Sequence, residues 1–299
     1  MSRHLSSASL VAVALLASLG TVACGSSDPT GSGGVGKLSF TTWGEDYVEN
    51  RIPTDSAEVA GFVDGWQVEY SKFLVNFRKI RVADKDGNEA AVMEGSMLFD
   101  NHVKGVKSII DFDGVEAKAW QDVSYEIAPV TDETKLSDSV TEEDRQLMVD
   151  GGYSFYVEAT ASKGEVKKHY TWGFAIGTRY EKCHSEQDGK DEEGLVVTNN
   201  SELEIQLTTH GDHPYYDRLQ ASPDPAIPTS LRFDTLADAD QEGDGFGELT
   251  LDELDAAPLN VKLYNPSPFK ALTQGAFVTA LARTIGHFRG EGECTISEL

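Results

Sequence analysis

Positive charge is scarce in this 299-residue chain, with 25 lysines and arginines against 50 aspartates and glutamates and a formal net charge of −25 at pH 7. An acidic balance this strong repels phosphate backbones and argues against a nucleic-acid partner. It suits solubility, cation binding, or both. Long apolar runs are also missing: no stretch reaches the roughly 18 consecutive apolar residues of a membrane-spanning helix. There is no G-x-S-x-G elbow, no cysteine placed as a nucleophile and no glycine-rich phosphate loop entering a helix, so nucleophilic catalysis is not expected and a metal-dependent hydrolase is left as the minor enzymatic alternative. No internal repeat is visible. Cysteine is rare, at three residues.

The N-terminus accounts for the first of these. A basic start (MSRH) precedes the apolar run Leu10 to Leu19, and Thr21-Val22-Ala23-Cys24 follows. Small residues directly before a cysteine resemble a bacterial lipobox, with Thr21 where leucine is usual. Residues 1–23 therefore read as a lipoprotein signal peptide, Cys24 as the lipidated residue, and 24–36 as a flexible Gly/Ser tether. Gly25, where an inner-membrane retention signal would have aspartate, points to the outer membrane or cell surface. In that oxidising setting Cys183 and Cys294 are left as a disulfide pair, with zinc ligation as the alternative.

From Lys37 the chain reads as short strands. Trp66 to Val82 alternates apolar and polar residues with a phase change near Phe73, which suggests a bulge. Strands are expected at Lys37–Trp43, Val106–Phe112 (closed by an Asp113-Gly114 turn) and Val115–Ala128. A hairpin is expected about Lys163-Gly164, and a further strand through Leu203, Ile205 and Leu207. Cys183 to Gly194 reads as a charged loop. Thr141 with Asp144 three residues on marks the start of a helix. Apolar residues from Leu272 to Ile285 form one stripe of a helix spanning Lys270–Phe288. The predicted fold is mainly β: an antiparallel, jelly-roll-like β-sandwich over 37–233. Residues 234–299 form an acidic loop and a small α-helical C-terminal appendage packed on it.

The chemistry concentrates between Leu207 and Leu254. In LTTHGDHPYYDRL, His210 and His213 stand three apart at a strand end, with Asp212 and Asp217 close by. Imidazole suits zinc or copper, and the aspartates could ligate or accept from an imidazole N–H. His169, on a strand, is a further candidate if it faces the same sheet end. His184 and His287, the latter near the end of the last predicted helix, read as structural. Glu45, Asp46 and Glu49 read as a solvated loop, with a further cation site as the alternative. Farther on, Asp238, Asp240, Glu242, Asp244, Glu248 and Glu253 surround a glycine-bearing turn before LTLDEL, an imperfect EF-hand-like pattern that suggests calcium.

The lipobox-like start, GFVDGWQVEYSKFLVNF, TTHGDHPYYDRL and LRFDTLADAD with GELTLDEL together resemble uncharacterised lipoproteins of myxobacteria. A remoter likeness, carried by the texture of the Trp66–Val82 strand, is to the copper-associated MbnP-like periplasmic β-sandwich proteins. That resemblance implies metal handling and transfers no ligand. The expected function is a surface-anchored lipoprotein that binds a metal ion or a small metal-bearing ligand, with calcium stiffening the acidic loop. The alternative is a calcium-stabilised structural or adhesive sandwich whose partner is a glycan or a protein.

Overall fold

A computed structural model describes residues 33–54, 61–187, 189–219, 226–240 and 246–299. The lipidation candidate Cys24, the signal peptide and the calcium candidates Glu242 and Asp244 lie outside the described residues. Among those described, strands dominate and form two main sheets, one of four strands and one of eleven. The fold is mainly β and antiparallel-rich, as the alternating pattern predicts.

In the four-stranded sheet the strand Val35–Trp43 lies parallel to Glu202–Thr209 and antiparallel to Lys107–Glu116. Glu202–Thr209 takes a further antiparallel partner, Gly286–Phe288. The large sheet is organised about one 17-residue strand, Gln67–Ala83. Its first half pairs with Phe155–Lys163, and its second half with Asp122–Ile127 and Glu89–Val92. Extra residues let the strand change partners. The register slips between Tyr70 and Lys72, just before the predicted phase change, and again between Arg78 and Arg81, where Lys79 has φ 48°. Bulges of this kind bend and twist a strand.

One core fills the space between the sheets. Leu38, Phe40, Ile205 and Leu207 of the small sheet meet Val68, Phe73, Phe77, Tyr125, Trp172 and Tyr180 of the large one, all buried. A satellite cluster of Leu74, Leu98, Val130, Met148 and Tyr156 lies near the helix Glu142–Gly151, which contributes Met148. That helix begins as Thr141 predicts. The threonine hydroxyl accepts from the Asp144 N–H at 3.2 Å, and the Asp144 carboxylate accepts from the Thr141 N–H at 2.9 Å. These bonds satisfy backbone donors that the first turn would otherwise leave open.

Several local expectations are corrected. Asp113-Gly114 is no turn: the strand runs on through Lys107–Glu116 and absorbs one extra residue opposite Gly36–Leu38, with Gly114 at φ 72°. The segment from Cys183 to Gly194 is no loop: Thr178–Gln187 and Lys190–Glu193 pair as a hairpin. The last helix is shorter than its apolar stripe. It covers Gln274–Ala282, and the chain then becomes the strand Gly286–Phe288 and, after a turn, Glu293–Glu298. The C-terminal segment thus supplies strands to both sheets as well as helices. Cys183 and Cys294 form a disulfide, S–S 2.05 Å, that fastens the last strand to Thr178–Gln187 across 111 residues of sequence.

Candidate metal centre

The four-stranded sheet places three functional segments at one end. Its parallel register sets Trp43 beside Thr208, so the chain two residues beyond each brings Glu45 and His210 to the same edge. The antiparallel register sets His287 opposite Thr208, and the His210 N–H donates to the Ile285 carbonyl at 2.9 Å. As a result the His210 and His287 rings stack, with centroids 3.9 Å apart and planes within 10°.

The turn after His210 delivers the third imidazole. Gly211 packs so closely under its neighbours that a Cβ there would come within 2.7 Å of Val48 and 2.9 Å of Tyr70. The Tyr70 hydroxyl donates to the Gly211 carbonyl. The 3-10 turn His213–Tyr215 then buries Tyr215, whose hydroxyl bonds those of Tyr70 and Tyr170. With the turn pinned from below, His213 points back at the sheet end. One ring nitrogen from each of His210, His213 and His287 falls within 4.8 Å of the others, and all three residues are buried.

The protonation pattern follows from the hydrogen bonds. Thr284 Oγ1 donates to the Leu281 carbonyl at 2.7 Å, so toward His213 Nδ1, at 2.8 Å, it acts as acceptor. That places the His213 proton on Nδ1 and turns the Nε2 lone pair inward, as an outer partner does for a metal-binding imidazole. His213 Nε2 faces His287 Nε2 at 3.3 Å. His287 Nδ1 is buried without a hydrogen-bond partner, and His210 Nε2 has only the Glu45 carboxylate at 3.5 Å.

Burial pushes the His213 pKa well below its ordinary value, assisted by His287 and His210. It pushes His287 down to about 3, with His210 adding to the effect. Both rings are neutral donors at neutral pH. For His210 burial acts in the same direction, but the Glu45 carboxylate, with Asp212 and Glu291, outweighs it and raises the pKa. Glu45 Oε1 stands 3.5 Å from His210 Nε2, and Glu45, His210 and Glu291 form a second group of potential ligand atoms within 4.8 Å.

The other predicted site residues have different duties. Asp212 accepts from the Tyr216 hydroxyl at 2.8 Å, leaving Oδ1 buried and unpartnered, and burial raises its pKa. Asp217 is buried but holds Arg218 at 2.8 Å and the Ser230 N–H at 3.2 Å, which makes it a tie between loops. His169 is not brought to the cluster: its Nδ1 bonds Thr160 at 2.9 Å, on the strand Val166–Phe174 of the large sheet. His287, read from sequence as structural, takes its place. The signal available was Gly286, which interrupts the helical pattern one residue before it.

The acidic loop gathers no ligand group among the described residues. Asp240 makes a buried ion pair with Lys168, and Asp238 ends the short helix Asp234–Ala237. Glu248 accepts from the Thr171 hydroxyl at 2.8 Å. Glu253, where an EF-hand would have its closing glutamate, instead caps the helix Leu251–Ala256 through the Thr250 N–H at 2.9 Å.

All three histidines line a cleft of about 660 Å³, together with Tyr216, Phe269 and Glu291. Comparisons with protein-family models, with curated proteins and with solved structures find no match.

Proposed function

We propose that this chain is a metal-binding lipoprotein, exported and held by a lipid on Cys24 at the outer membrane or cell surface. It binds one transition-metal ion, zinc or copper, through His210, His213 and His287. The observation that carries the reading is the convergence of three buried imidazoles, two of them held neutral, with one ring nitrogen of each within 4.8 Å of the others. His287 Nδ1 is left without a hydrogen-bond partner, and buried polar groups left unpaired are costly. Tetrahedral zinc with Zn–N near 2.0–2.1 Å would hold its nitrogens about 3.3 Å apart. His213 and His287 already stand at that separation. The net charge of −25 concentrates cations around the molecule.

The test is metal content by plasma mass spectrometry of the purified protein after dialysis against zinc or copper. About one ion per chain is expected, with loss of binding in the His210→Ala, His213→Ala double variant and in His287→Ala. Full retention in either variant overturns the assignment. Replacing Cys24 with serine should release the protein from the membrane fraction. Continued membrane association would remove the lipid anchor from the proposal.

A further inference from the structure

Three imidazoles do not complete a coordination sphere, and the cleft indicates what completes it. Sites with three protein donors characteristically keep the remaining position for water or an outside ligand. Glu45 and Glu291 group with His210 but not with His213 and His287, so neither carboxylate belongs to the triad's own set. The three histidines instead line a cleft whose volume, about 660 Å³, lies in the range of small-molecule sites.

The lining of that cleft mixes carboxylates with apolar side chains. Glu291 and Glu293 line it, and no lysine or arginine does among the described residues. Asp212 and Glu45 add negative potential at His210. An ion of charge +2 on neutral imidazoles is thereby largely compensated, and an incoming anion meets carboxylates rather than cations. The same cleft is also lined by Leu219, Pro268, Phe269 and Ile296. Phe269 is 42% exposed, a large apolar ring left facing the cleft instead of the core. A neutral donor with an apolar body would cover it.

We propose that the ion held by His210, His213 and His287 keeps one exchangeable position opening on this cleft. The cleft selects a neutral heteroaromatic nitrogen donor with apolar bulk over small anions. The inference rests on the metal-binding reading and names the ligand class of the same site.

The experiment uses the full chain loaded with cobalt(II), whose visible bands report the coordination sphere, titrated separately with imidazole, 4-phenylimidazole and sodium azide. The two imidazoles are expected to shift the bands, with 4-phenylimidazole binding about tenfold tighter because its phenyl ring leaves water. Azide should produce no change at concentrations where imidazole saturates. Phe269→Ala should shrink the ratio of the two imidazole affinities severalfold, and Glu291→Gln should raise azide affinity. Cobalt bands that no added ligand moves, or azide binding tighter than imidazole, overturn this inference while leaving metal binding intact. A chain that takes up no cobalt overturns both.

Discussion

At the scale of single residues, the site depends on which nitrogen carries a proton. Thr284 fixes the His213 tautomer, because its own hydroxyl hydrogen is engaged by the Leu281 carbonyl. Replacing Thr284 with valine removes that acceptor and should weaken metal binding about 10–100-fold, the usual effect of losing an outer partner. His287→Ala removes a proposed ligand and should cost at least as much, whereas His169→Ala should leave affinity unchanged; calorimetric titration distinguishes the three. Gly211 has a comparable role in positioning. A methyl group there would meet Val48 and Tyr70 below 3 Å, so Gly211→Ala should both destabilise the fold and misplace His213. The expected stability cost is about 1–3 kcal/mol, the range for overpacking a filled core, and thermal unfolding measures it. His210, His213 and the glycine between them were visible in the sequence because they lie within four positions. His287 was not: it enters from 74 residues beyond His213 through strand pairing.

At the scale of elements, capping chemistry was legible and element ends were not. Thr141 and Asp144 announce the helix Glu142–Gly151, and both bonds of the cap are present. Thr141→Ala should cost about 1 kcal/mol. Asp144→Asn should cost more, since the carboxylate also pairs with Lys72. Burial pushes the Asp144 pKa upward, but Lys72 and the Thr141 bonds prevail and lower it. A carboxylate whose folded pKa is lowered contributes stability in full above its unfolded value, near 3.9. The contribution is lost as pH falls through the lowered folded value. The difference in urea stability between wild type and Asp144→Asn should therefore stay constant from neutral pH down to about 4 and shrink below it. By contrast, the stripe from Leu272 to Ile285 satisfies a helical period beyond the point where the helix stops at Ala282. Period alone does not reveal that Gly286–Phe288 finds an open edge at Glu202–Thr209 and pairs there. Once paired, backbone hydrogen bonds to a buried strand outweigh a further half-turn of helix.

For the whole molecule, the disulfide and the sheets act together. Cys183–Cys294 closes a loop of 111 residues and fastens the strand that follows His287 and Glu291. A link of that span restricts the unfolded chain by about 4–5 kcal/mol in the entropic account. The double variant Cys183→Ser, Cys294→Ser should accordingly show a lower thermal midpoint and, because the hairpin that carries the proposed ligand His287 loosens, weaker metal affinity. An unchanged midpoint would mean that the sheets alone fix the last strand.

Two-residue periodicity, a cysteine count that leaves one pair once Cys24 is set aside, and the Thr141–Asp144 spacing sufficed for the class of fold, the disulfide and the helix cap, because each depends on neighbours in sequence or on few alternatives. A β strand states in its own residues which face is buried, so Trp66 to Val82 could be recognised alone. What it does not state is its partner. That Val35–Trp43 runs parallel to Glu202–Thr209 sets Glu45 beside His210, and that Gly286–Phe288 joins the same sheet brings in His287. Strand order is a property of the packed chain, decided by which edges remain open once the core has closed. Only the tertiary structure could therefore exchange His169 for His287 in the cluster.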